Sequence, residues 1–276
     1  MKNNKSLGQH WLKDRAILDR MADLCRVKGL PEVTTEDEGA SPVTTGASDP
    51  SPKPYTNQPI CLEIGPGLGT LTSSLLKRFD KVIAVEFDKN LADNLPKSFP
   101  GKNLTVINED ILEFEPDAKM PRYVVAGNIP YYITSPIIKK FLTIDPLPER
   151  IVLLIQKEVA ERIASDKETV LSLFVKNYAE VALGPVVKKD LFTPPPKVDS
   201  QVIILTPRPH PLIMPQAFQI VKLGFNNPRK KLISNLSSLK PKAELQQIFA
   251  NLGISPDARP ADLHLEDWSA LYNTLH

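Results

Sequence analysis

Between residues 60 and 165 the chain alternates strand-sized apolar runs with stretches of helical periodicity, and few architectures accept such a pattern. Strands are expected at 60–64, 82–86, 104–108, 124–128 and 151–156. Helical spacing fills the intervals at 70–78, 89–99, 135–142 and 157–165. Strands separated by helices cannot be joined as hairpins, so they lie parallel and need cover on both faces. The expected fold is therefore α/β, a doubly wound parallel sheet. A further helix over 169–182 precedes strand-like segments near Val186 and at 202–206. The Pro-rich stretch 207–215 then breaks the pattern, and short helices follow it. This divides the chain into a sheet domain, 1–206, and a small helical domain, 207–276.

Two segments stand apart. Residues 1–28 begin basic and polar and continue as a helix with Ile17, Leu18, Met21, Leu24 and Cys25 on one side. Residues 29–59 are rich in Pro, Thr, Ser, Gly and Asp and nearly lack large apolar side chains. Such a segment cannot offset its ordering entropy by burial, so a flexible surface loop inserted in the first domain is expected. No apolar run is long enough to span a bilayer, and the polar start is unlike a signal core, so a cytoplasmic protein with no membrane partner is expected. Cys25 and Cys61 have no metal-ligand spacing; Cys61 lies in an apolar run and reads as a buried reduced thiol. The formal net charge is only +2, yet residues 201–243 contain no Asp or Glu. They carry Arg208, Lys222, Arg229, Lys230, Lys231, Lys240 and Lys242, an uncompensated basic segment that favours a polyanion.

The first strand runs into Glu63-Ile64-Gly65-Pro66-Gly67-Leu68-Gly69-Thr70 and then a helix. Glycines at this turn let the backbone bend tightly and approach a ligand closely. The second strand ends in Glu86, 21 residues after Gly65, where a carboxylate can accept hydrogen bonds from both hydroxyls of a ribose. The spacing G-x-G-x-G differs from the dinucleotide fingerprint G-x-G-x-x-G, whose ligand needs a pyrophosphate site at the helix N-terminus. The whole E-x-G-x-G-x-G pattern with its downstream acid resembles the S-adenosylmethionine-binding, Rossmann-like methyltransferases. The third strand ends in Asn108-Glu109-Asp110-Ile111. At that edge the Asp110 carboxylate can bond the adenine amino group of such a cofactor and Ile111 can pack on the ring, although Asp110 alone also suits a turn or cap.

The sharpest signal ends the fourth strand: Asn128-Ile129-Pro130-Tyr131-Tyr132. It resembles the N/D-P-P-Y/F box of methyltransferases acting on exocyclic amines. An adenine N6 lone pair is delocalised into the ring and is a poor nucleophile. The Asn128 side-chain oxygen and a neighbouring backbone carbonyl can accept hydrogen bonds from that amine and free the lone pair for in-line attack. Pro130 stiffens the turn. Tyr131 offers a face on which a displaced base stacks, worth about 1–3 kcal/mol. Positioning supplies much of the rate, and the chemistry calls for no metal and no strong base.

With these boxes in place the chain is similar, over nearly its whole length, to the ribosomal RNA adenine dimethyltransferases of the KsgA type. Lys5-Ser6-Leu7-Gly8-Gln9-His10-Trp11-Leu12 resembles the family's N-terminal box, with Trp11 in place of the usual Phe. The resemblance implies that Gln9, His10 and Leu12 contact the cofactor. The segment 128–136, running from Asn128 to Pro136, and Gln156-Lys157-Glu158-Val159-Ala160-Glu161-Arg162 also resemble family segments. So does Phe192-Thr193-Pro194-Pro195-Pro196-Lys197-Val198-Asp199-Ser200; the likeness implies Phe192 as a second stacking wall opposite Tyr131. Phe225-Asn226-Asn227-Pro228-Arg229-Lys230-Lys231-Leu232 resembles the family's basic box and implies Arg229, Lys230 and Lys231 as RNA contacts. The loop at 29–59 is longer than the family pattern before the first strand.

The resemblance implies S-adenosylmethionine-dependent N6,N6-dimethylation of two adjacent adenines in a loop near the 3′ end of small-subunit (16S) ribosomal RNA, by a monomer acting in ribosome biogenesis. A large-subunit (23S) enzyme conferring macrolide resistance shares the same boxes. The ending, Arg259-Pro260-Ala261 and the stretch 265–275, resembles the longer helical domain of the small-subunit type. A third reading is a ribosome-assembly factor with weak catalysis; the presence of every box argues against lost activity.

Overall fold

The described chain begins with a two-residue strand, β1 (Trp11–Leu12), and a helix, α1 (Arg15–Leu24), capped by Asp14, whose side chain accepts from the Ile17 amide. The computed structural model describes residues 10–27, 59–117, 120 and 122–276. The expected loop at 29–59 therefore lies, but for its last residue, outside the described residues. Next come β2 (Ile60–Ile64), α2 (Thr70–Leu75), β3 (Val82–Glu86), α3 (Lys89–Asn94), β4 (Leu104–Asn108) and β5 (Tyr123–Asn128). Then follow α4 (Thr134–Phe141), β6 (Arg150–Gln156), α5 (Lys157–Ala164), α6 (Val170–Tyr178), β7 (Ala179–Val187), β8 (Phe192–Thr193) and β9 (Ser200–Pro207).

Seven of these strands form one sheet in the order β4-β3-β2-β5-β6-β9-β7. The five from β2 to β6 are parallel, and β9 inserts antiparallel between β6 and β7. Chain order reverses at β2, whose neighbours are β3 and β5, so the connections that leave β2 and β5 at their C-terminal ends run in opposite directions. A crevice at that point is where open α/β sheets hold ligands. Successive strand residues feed opposite faces. Leu62, Val125, Leu153 and Ile203 pack with Ile137, Phe141, Ile163 and Val175 from α4, α5 and α6. Cys61, Val124, Val152 and Val202 pack with Leu18, Met21, Leu71 and Leu75 from α1 and α2. Central strands buried on both faces explain the nearly unbroken apolar runs. Cys25 and Cys61 are both buried free thiols.

One expected element differs. Helix 169–182 stops at Tyr178, and β7 starts on the next residue, with Ala179 extended at φ −150° and ψ 157°. The spacing of Val181 and Leu183 suits a helix as well as a strand; antiparallel pairing of Val181, Ala182 and Leu183 with Leu205, Ile204 and Ile203 decides for the strand. The start of α6 is secured by Thr169 and Ser172, each side chain bonding the other's backbone amide.

After Pro207 the helices α7 (Phe218–Gly224), α8 (Leu232–Asn235), α9 (Lys242–Asn251) and α10 (Leu265–Leu275) gather around Trp268, Leu271, Leu236 and Phe249. Leu173 joins this second core from α6, so one helix serves both sides. The buried Glu168 before α6 bonds Lys176 and Ser172 at 2.6 Å each, and its backbone amide donates to the Ala261 carbonyl. No helix among the described residues is long and apolar enough to cross a membrane.

Candidate active site

The C-terminal ends of β2, β3, β4 and β5 open into one cleft. It is lined by Glu63 and Gly65–Gly67 at the end of β2, by Glu86 and Phe87 at the end of β3, by Asp110 and Ile111 after β4, and by Asn128–Ile133 from the end of β5 onward, with His10 and Trp11 closing over it. The motifs picked out along the sequence therefore meet in one place, for the geometric reason that a parallel sheet delivers every strand end to the same edge.

Gly65 and Gly67 sit at φ +61° and +57°, a region L side chains avoid. Gly67 has a second constraint: a Cβ there would lie 3.1 Å from Nε1 of Trp11, so the indole rests directly on the loop backbone. The loop is tied to the next strand by Glu86. Its Oε2 accepts from the Gly67 amide at 3.0 Å and its Oε1 from the Asp88 amide at 2.9 Å. Each carboxylate oxygen keeps an acceptor site free for a ligand hydroxyl. Burial raises the Glu86 carboxyl above its usual range, against the pull of those two amides. Asn108 reaches from β4 and donates to the Glu86 carbonyl at 2.8 Å, fixing the two strand ends together.

Asp110 borders the cleft and also caps the turn after it, its Oδ1 accepting from the Leu112 amide at 2.9 Å. The turn-capping bond uses Oδ1, and Oδ2 has no hydrogen-bond partner among the described residues. Ile111 is 6% exposed and forms part of the wall. Glu63 was not singled out from the sequence, although it opens the glycine pattern. It is buried in the cleft floor, its Oε2 has no hydrogen-bond partner among the described residues, and burial pushes its carboxyl up to about 8. An orphaned buried acceptor beside a glycine cradle fits a ligand that brings a donor or a positive charge.

On the other side of the cleft the Asn128 amide nitrogen donates to the His10 carbonyl at 2.9 Å. That bond fixes which end of the side chain is engaged and leaves Oδ1 without a partner among the described residues. Ile129 is buried, while Pro130 at φ −59° and ψ 135° turns the chain into a 3₁₀ turn, Tyr131–Ile133. The Tyr131 hydroxyl and the fully buried Ser200 hydroxyl lie 2.8 Å apart. Ser200, the last residue of the Pro-rich box, was missed because a serine at a strand start carries no signal of its own.

The structure departs from expectation around Phe192. Phe192 and Leu12 face each other in a two-residue antiparallel ladder, β1 with β8, and both side chains point into the core at 3% and 0% exposure. Neither borders the cleft. Apolar side chains on so short a ladder are held by the core beneath it, and the His10 ring stacks toward Tyr131 with centroids 6.1 Å apart. The His10 ring donates from Nδ1 to the Pro194 carbonyl at 2.8 Å, so the Pro-rich box grips the N-terminal box. Gln9 lies outside the described residues.

Arg229, Lys230 and Lys231 are exposed in the turn between α7 and α8 and do not line the cleft. Asn235 braces that turn, donating to the carbonyls of Gly224 and Asn227. Lys231 pairs with Asp257, whereas Arg229 and Lys230 have no ion-pair partner among the described residues.

A family model for ribosomal RNA adenine dimethylases matches residues 1–276. Relatives named ribosomal RNA small subunit methyltransferase A include one from Acaryochloris marina, 36% identical over 99% of this chain and 97% of the relative. Another, from Bacillus mycoides, is 34% identical over 98% of this chain and 90% of the relative. Among solved structures, a dimethyladenosine transferase from Plasmodium falciparum is similar with a TM-score of 0.73 and 25% identity, covering 96% of this chain and 98% of that one. The 23S rRNA methyltransferase ErmE is similar with a TM-score of 0.69 and 26% identity, covering 96% and 99%.

Proposed function

The chain belongs to the ribosomal RNA adenine dimethylase family, and from that membership we propose that it dimethylates N6 of two adjacent adenines in a loop near the 3′ end of small-subunit (16S) ribosomal RNA, using S-adenosyl-L-methionine. The observation that carries the reading is the shared cleft: the glycine loop with its two acids and the Asn128–Tyr131 turn open onto one space. Relatives 36% and 34% identical over nearly the whole chain are named for the small subunit, which favours the small subunit as substrate.

S-adenosyl-L-methionine, when bound, supplies an electrophilic methyl group on a sulfonium. Gly65 and Gly67 bring backbone close to it, Glu86 accepts from its ribose hydroxyls, and Asp110 accepts from its adenine amino group with Ile111 against the ring. His10 and Trp11 close the cleft from above; Leu12 and Phe192 act from beneath by anchoring that closure in the core. Asn128 Oδ1 and the Ile129 carbonyl accept hydrogen bonds from the target amine and localise its lone pair, and the methylated nitrogen, now acidic, sheds its proton to water. Tyr131 stacks the extruded base, as enzymes acting on single bases require. Arg229, Lys230 and Lys231 hold RNA phosphates from the helical domain, 207–276, and the protein works as a cytoplasmic monomer on the small subunit or its precursor.

The test is incubation with labelled S-adenosyl-L-methionine and unmethylated small subunits, with naked large-subunit RNA alongside, and mass-spectrometric mapping of the product. Dimethyladenosine near the 3′ end of the small-subunit RNA is expected. Label confined to large-subunit RNA would reassign the substrate. Cofactor binding without label in either would point to an assembly role.

A further inference from the structure

The two tyrosines that open the 3₁₀ turn have opposite surroundings. Tyr131 is half-buried and tied through its hydroxyl to Ser200. Tyr132 borders the same cleft, is 66% exposed, and has no hydrogen-bond partner among the described residues. Three residues per turn send consecutive side chains about 120° apart, so one ring faces into the cleft while its neighbour stands at the mouth. A tyrosine ring left this open is a large amphipathic surface without a partner. Phe87, at 62% exposure, also borders the cleft, but it follows β3 on the side of Glu86. Tyr132 belongs to the turn that carries Tyr131.

We propose that Tyr132 is a stacking platform for the nucleotide adjacent to the one in the cleft, an unpaired base of the same RNA loop. The inference rests on the proposed function and deepens it. Extruding one base from a loop unstacks its neighbour, which then presents a bare aromatic face to the rim where Tyr132 stands. Stacking of this kind tolerates any base and needs the ring rather than the hydroxyl. Because the two target adenines are adjacent, the platform holds one of them, or its flank, while the other reacts. It thereby aids the step from the first adenine to the second.

The experiment compares full-length wild type, Tyr132→Ala and Tyr132→Phe on unmethylated small ribosomal subunits, with each adenine quantified by mass spectrometry. Tyr132→Ala is expected to raise KM for the subunits about tenfold and to leave a larger share of RNA with only one of the two adenines dimethylated. Tyr132→Phe is expected to match wild type, and all three proteins to bind S-adenosyl-L-methionine equally by calorimetry. A wild-type KM and product pattern in Tyr132→Ala would overturn the inference. So would a Phe variant as impaired as the Ala variant, or a cofactor affinity that falls in step with the loss. Wild-type protein inactive on the small-subunit adenines would overturn the proposed function and this inference with it.

Discussion

The stacking role proposed for Tyr131 requires a ring held at one tilt, and the hydrogen bond between its hydroxyl and that of Ser200 restrains that ring. Removing the Ser200 hydroxyl frees the ring without shortening it. Ser200→Ala is therefore expected to lower the single-turnover methylation rate about tenfold, the worth of one lost hydrogen bond, with cofactor affinity unchanged. In a Tyr131→Phe background the same substitution should cost nothing more; an equal loss there would show that Ser200 acts elsewhere. Glu63 obeys a different logic. Its buried carboxyl titrates near 8, against 4.5 for the free group, because burial outweighs the opposing pull of Thr72. The native chain therefore keeps this proton where the unfolded chain has released it. Stability from this group is complete below about 4.5 and is lost as pH rises toward about 8. Glu63→Gln should flatten the fall in stability between those two pH values, read by urea denaturation at several pH points. Parallel pH profiles for the two proteins would mean that the carboxyl titrates normally.

At the scale of elements, α1 acts as a bracket. Arg78 bonds both carboxylate oxygens of Asp23, at 2.7 and 3.1 Å, and Asp19 at 3.1 Å, while Ser74 donates to Asp19 at 2.7 Å. These bonds lock α1 onto α2, and α1 carries the strand that sets Trp11 against Gly67. Arg78→Ala should cost about 2 kcal/mol of stability. It should also weaken cofactor binding severalfold, as calorimetry would report; unchanged affinity would show that Trp11 keeps its place without the bracket. The parallel strands were legible in the sequence because burial on both faces writes a long apolar run, and the glycine loop, Glu86 and Asn128–Tyr131 because they lie at strand ends. The β1–β8 ladder was not legible, since two residues carry no period and their partners are brought together only by the finished sheet. The same holds for Ser200 with Tyr131, and for Phe192, whose motif likeness names a residue without saying which way its ring points. The overlong helix at 169–182 failed for want of information about β9, whose backbone claims Ala179–Val187.

For the whole molecule, binding to RNA depends less on the net charge of +2 than on which basic groups are free. Within the acid-free segment, Arg208 pairs with Glu180, Lys231 with Asp257 and Lys240 with Glu244. Lys222, Arg229, Lys230 and Lys242 have no ion-pair partner among the described residues. A paired lysine must give up its carboxylate before it can meet a phosphate, so it contributes less to affinity and to counterion release. Each phosphate contact adds roughly 0.7–0.9 to the slope of log affinity against log salt. Replacing Arg229 and Lys230 together by Ala should therefore flatten the slope for small-subunit RNA by about 1.4–1.8. Lys231→Ala alone should change it by less. Asp257→Asn should do the reverse, releasing Lys231 and steepening the slope, an effect that mere loss of structure would not produce. Titrations from about 50 to about 200 mM salt would separate these cases. An unaltered slope in the Arg229 and Lys230 double variant would place the phosphate path on another face of the protein.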